Sequence, residues 1–117
     1  MVPSNYRKKY TEFKQTLEQL QEITVESDTG TLWKSFSGVQ EFFGREILGL
    51  KADDISPEMA SRIQSLHTEM HKQLRLLKMD LMFLRSAHSS ETLRVRQIQV
   101  SDRLKTLLGY CSALLGE

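Results

Sequence analysis

Residues 56–87 read SPEMASRIQSLHTEMHKQLRLLKMDLMFLRSA, and their pattern decides the fold. Ser56 offers a hydroxyl to cap exposed backbone amides, Pro57 suits a first helical position, and Glu58 complements the positive end of the helix dipole. From there Met59, Ile63, Leu66, Met70, Leu74, Leu77, Leu81 and Leu84 recur every three or four residues, without Gly or Pro, to about Ala87. The spacing predicts an unbroken amphipathic helix roughly 45 Å long at 1.5 Å per residue.

The flanking segments repeat the pattern. Upstream, Tyr6, Tyr10, Phe13, Leu17 and Leu20 lay one stripe along a first helix, capped near Ser4 and ending in the turn-rich Glu26-Ser27-Asp28-Thr29-Gly30. A second segment puts Phe36, Phe43, Ile47 and Leu50 on one face, flanked by Leu32, Trp33 and Val39. It also holds Gly38, Gly44 and Gly49, each costing about 1 kcal/mol against alanine inside a helix. Downstream, His88-Ser89-Ser90 breaks the long helix, and Leu93, Val100, Leu104, Leu107, Cys111 and Leu114 form the stripe of a fourth. Short connections favour antiparallel neighbours, so the expectation is an all-α, up-down four-helix bundle with a long third helix, one domain spanning residues 1–117.

Composition agrees with a packed domain. The 117 residues are 39% hydrophobic and 26% charged, enough for one modest core without disulfides or metals. The net charge of +1 exerts no global pull on nucleic acid or anionic membrane. Its distribution is uneven, however. Residues 1–61 hold seven basic and ten acidic side chains, a balance of −3, and residues 62–117 hold nine and five, a balance of +4. Cys111 is the single cysteine, so no disulfide can close within the chain. No apolar run approaches a membrane span of about 20 residues, and the N-terminus has no signal-peptide core. A cytoplasmic protein without membrane insertion is expected.

Residues that could carry chemistry are few. His67 and His71 stand at i and i+4, on one helical face and within reach of one metal ion, but not in the zincin order. A metal site needs a third ligand from another helix, and solvated flanking histidines are the expectation. Asp80 is fenced by Leu76, Leu77, Phe83 and Leu84, so its carboxylate calls for an arginine from a neighbouring helix or chain. Cys111 lies on an apolar stripe and reads as core. No Gly-rich phosphate loop and no Ser/His/Asp order is present, so the chain is expected to be no enzyme and to need no cofactor.

Surface patterning is richer. Lys72, Arg75, Lys78 and Arg85 form a basic stripe with Met82 set into it; such a stripe is commonly just a solvated face, and its functional reading is a docking surface for an acidic partner with Met82 and Phe83 as apolar anchors. A nucleic-acid-binding regulator using the basic face of helices 3 and 4 is the alternative. Arg7, Lys8 and Lys9 add a second basic cluster at the positive end of the first helix, where cations are unfavourable, and that conflict makes them further partner-binding candidates. Leu76, Met79, Met82 and Phe83 make the third helix apolar nearly all the way round. Either that helix is central in an asymmetric bundle, or a second chain covers the surplus in a homodimer. Ser35, Gly38, Phe42, Arg45 and Gly49 share another face, where Phe42 is either packed within the chain or an exposed anchor.

The run from Ile63 to Leu84, followed by Gln99-Val100-Ser101-Asp102-Arg103-Leu104, resembles the PatD family, the heterocyst frequency control proteins of filamentous cyanobacteria. The Tyr-Arg…Tyr…Phe opening and the terminal Leu-Gly-Tyr-Cys…Leu-Leu extend the resemblance over nearly the whole chain. It implies a cytoplasmic, non-enzymatic regulator of cell differentiation that binds the division protein FtsZ and influences its assembly. The family has no catalytic motif to transfer.

Overall fold

The structure is a computed structural model that describes residues 2–26, 29–51, 53 and 55–117. Four helices pack against one another around one apolar core: α1 (Ser4–Glu26), α2 (Thr29–Phe42), α3 (Pro57–Arg85) and α4 (Ser90–Leu115). No strand occurs among the described residues. The molecule is elongated, 51 × 21 × 19 Å, in keeping with helices of 23 to 29 residues beside the 14-residue α2. None of the helices is long and apolar enough to cross a membrane.

The helix starts follow their caps. Ser56 accepts a hydrogen bond from the Met59 amide at 3.2 Å, and Pro57 opens α3. Ser89 does the same for α4 through the Thr92 amide at 3.1 Å. At the far end, Gly116 adopts φ 74°, the left-handed conformation that a side chain would strain. There the Gly116 and Glu117 amides return to the Ala113 and Ser112 carbonyls.

Two boundaries differ from the sequence reading. Thr29 and Gly30, expected in a turn, open α2 instead; Ser27 and Asp28 of that turn lie outside the described residues. The second segment is continuous but changes hand-over at its end. Phe43–Ile47 forms a π-helical turn, with the Leu48 amide reaching back five residues to the Phe43 carbonyl at 3.0 Å. Phe43 and Ile47 are both buried in this wider turn. It also carries Gly49 so close to the Arg45 carbonyl that a Cβ could not fit without backbone movement. Here glycine is a requirement of close approach.

Aromatic rings gather where α1 meets the π turn. Phe13 is fully buried, its ring parallel to Phe42 at 6.1 Å and tilted 46° to Phe43 at 5.5 Å. Phe42 is therefore an intrachain packing residue, and of its two sequence readings the exposed anchor is set aside. Leu93, expected on the buried stripe of α4, is instead exposed, as are its neighbours in the first turns of that helix. Cys111 is wholly buried, and burial pushes its thiol up to about 12 against the opposing pull of Lys14.

Candidate functional site

The charged residues sort into those engaged within the chain and those left to solvent. Asp80, only 8% exposed, accepts from Arg103 of α4 at 2.9 Å, and the same guanidinium donates to Gln73 at 3.1 Å. The arginine that the buried carboxylate called for is thus supplied within the chain. Arg7 also has a structural use. Its guanidinium donates to the Leu115 carbonyl at 2.9 Å, satisfying an open acceptor at the end of α4. Lys9 bridges Glu46 at 3.2 Å and Glu12 at 3.7 Å. The cations that sat badly on the dipole of α1 therefore serve neighbouring elements, and of the cluster only Lys8 projects fully into solvent without an ion pair among the described residues.

The histidine pair is brought together with aromatic rings. His67 is half-buried, against the expectation of a solvated flank, because Tyr10 of α1 lies over it. Burial holds the imidazole below its ordinary pKa and pushes the Tyr10 hydroxyl well up, with Tyr6 and Cys111 adding to the latter. Both groups are neutral near pH 7, and the Tyr10 hydroxyl and Nε2 of His67 share a hydrogen bond of 2.8 Å whose direction follows the imidazole tautomer. His71, one turn on, is exposed and stacks on Phe43 at 6.0 Å. Among the described residues no third His, Cys, Asp or Glu completes a metal-binding group with them. The pair instead lines a cleft of about 430 Å³ with Tyr6, Leu48, Ile55 and Ile63.

This contact carries a pH dependence. Burial holds the folded-state pKa of His67 below the ordinary histidine value of 6.5, so on acidification the unfolded chain takes up the proton first. Stability is expected to be insensitive to this group above that value. It then falls as the pH drops below 6.5 toward the depressed folded pKa. Urea midpoints followed by circular dichroism from about pH 7.5 to about pH 5 measure it, and His67→Gln should flatten this component. An unchanged slope in that variant would place the acid sensitivity elsewhere.

Lys72, Arg75, Lys78 and Arg85 are all exposed, and none forms an ion pair among the described residues. At about 100° per residue, their steps carry the stripe round α3. Arg75, Lys78, Met82 and Arg85 fall within about 80° of arc, with Met82 between Arg75 and Lys78 in angle. Lys72 turns toward a different face, where Leu76, Met79 and Phe83 follow it at steps of four, three and four. The expected self-association set thereby divides. Leu76, Met79 and Phe83 stay together, and Met82 joins the basic face.

Exposed large apolar residues gather on this part of the molecule. Met79, Met82 and Phe83 of α3 and Val95 and Ile98 of α4 are each 46–53% exposed, and Leu93 somewhat less. Outside this region only Leu48 resembles them among the described residues. Arg96 of α4 lays its guanidinium over the Phe83 ring at 4.7 Å, tying the two helices at their joined end. Val95 and Ile98 escaped the sequence reading. Their three-residue spacing was visible, but it runs beside the stronger buried stripe of α4 and was masked by it. Compared with protein families, curated proteins and solved structures, the chain finds no match.

Proposed function

We propose that the chain is a non-enzymatic, cytoplasmic regulatory module that binds an acidic protein partner on the Arg75–Lys78–Met82–Arg85 face of α3. The observation that carries this reading is a half-exposed methionine sharing one arc of α3 with three solvent-facing cations that form no ion pair among the described residues. Cations steer an acidic surface into place, and the flexible thioether supplies desolvated contact area once it arrives. Following the PatD resemblance, the proposed partner is FtsZ, whose assembly the module would modulate and so influence the frequency of heterocyst differentiation.

The frame proposed for this face is the up-down antiparallel bundle. Supporting it, Arg7 near the start of α1 meets Leu115 at the end of α4, and Phe83 near the end of α3 meets Arg96 near the start of α4. Lys9 of α1 likewise meets Glu46 in the turn that ends the second segment. A rigid bundle of this kind presents the basic face at low entropic cost on binding.

Co-sedimentation with FtsZ polymers tests the reading. The wild-type chain is expected to pellet with the polymers. The triple change Arg75→Glu, Lys78→Glu, Arg85→Glu should weaken binding by at least about tenfold, and raised salt should weaken the wild type in the same direction. Binding that survives the triple change would remove this face from the function. Salt-steep binding to duplex DNA in a mobility-shift assay, without FtsZ binding, would establish the nucleic-acid alternative in its place.

A further inference from the structure

The face of α3 that begins at Lys72 has a counterpart on α4. Lys72, Leu76, Met79, Phe83 and Ser86 step by four, three, four and three along one side of α3. Glu91, Val95, Ile98, Asp102 and Lys105 repeat the same steps on α4. That alternation is the seam spacing of helices that pack along their length on other helices. All of these residues are exposed except the half-buried Leu76, so the double seam is separate from the bundle's own core. The two stripes belong to one side of the α3–α4 pair, since Phe83, Asp102 and Arg96 line a single groove there.

Charge decides what fits. The seam carries Lys72 and Lys105 against Glu91 and Asp102, so it sums to zero and offers an acidic partner no net attraction. The Arg75–Lys78–Arg85 face would repel its own image; the seam would not. The signs are also ordered along α4. Glu91 stands near one end, Lys105 near the other, and Ile98 is midway between them. Met79 is likewise midway between Lys72 and Ser86.

We propose that two copies of the chain pair seam to seam, about a two-fold axis crossing α3 near Met79 and α4 near Ile98. Each helix then lies antiparallel on its image, and Glu91 of one copy faces Lys105 of its partner, twice. The five apolar positions meet in the middle, and half-exposed side chains gain the burial the single chain denies them. This inference stands apart from the acidic-partner reading, because it uses residues on another side of α3.

Sedimentation equilibrium of the full chain across a wide concentration range tests it. The expected mass is twice the 13.5 kDa of one chain. Ile98→Glu sets like charges against each other at the axis and should raise the dissociation constant by about a hundredfold, with helicity by circular dichroism unchanged. Glu91→Lys should weaken the dimer roughly tenfold, and adding Lys105→Glu to it should restore the wild-type constant. Four results would each overturn the proposal: a wild type that stays monomeric at the highest concentration, full dimerisation by Ile98→Glu, an unaffected dimer in Glu91→Lys, or no recovery in the exchanged pair. The exchange involves only exposed side chains, so it remains informative even if the glutamate at the axis disturbs folding.

Discussion

Truncating Phe13 to alanine is expected to lower the folding free energy by about 4 kcal/mol, the upper range for losing a buried aromatic side chain. The ring has no solvent exposure, and it contacts two further rings, Phe42 and Phe43, that approach it from the end of α2 and the start of the π turn. Removal sacrifices its transfer free energy, opens a cavity in the aromatic cluster of the core, and breaks two aromatic contacts. A domain of this size holds about 5–15 kcal/mol in total, so the variant should unfold at far lower urea. Phe42→Ala serves as the comparison, with about half the loss expected because that ring is only partly buried. Equal losses in equilibrium urea titrations, or a Phe13 loss below about 1.5 kcal/mol, would contradict this account of which ring the core depends on.

The second large effect concerns Asp80 and Arg103. Arg103→Leu is expected to cost about 3 kcal/mol, since it strands a carboxylate between apolar side chains and also frees Gln73. Pairing it with Asp80→Leu should recover most of that loss, because a buried ion pair replaced by apolar residues of similar volume is close to neutral. The full double-mutant cycle, measured by chemical denaturation, distinguishes this from simple loss of arginine packing. If the double variant were as unstable as Arg103→Leu alone, the long arginine stem rather than the charge would be the important contact.

These two sites show what the sequence could and could not display. Asp80 announced its need through its own helical neighbours, a local signal, and the partner was found 23 residues away. The Ser56 cap and Pro57 start were equally local and stand as read. Effects that depend on another helix were hidden. His67 looked solvated because its coverage comes from Tyr10, 57 positions earlier. Arg7 looked misplaced on α1 because its carbonyl partner, Leu115, is 108 positions away. The π turn was also illegible, since Gly44 and Gly49 signal only that the helix is weakened, not that its hydrogen bonds lengthen by a residue. Surface function falls between these cases. The basic stripe was plain in the spacing of α3, while its separation from the neutral seam required the helical geometry of both stripes together.

Cys111 has a consequence for how the chain can be followed in solution. A thiol wholly enclosed and pushed to about 12 cannot meet an alkylating reagent as a thiolate while the helices remain closed. Reaction proceeds only through molecules that have opened, so the labelling rate counts their fraction. With one cysteine in the chain, every modified molecule records one opening event at one known depth. The protein thus carries its own clock for breathing motions, readable by alkylation and mass spectrometry in the absence of denaturant.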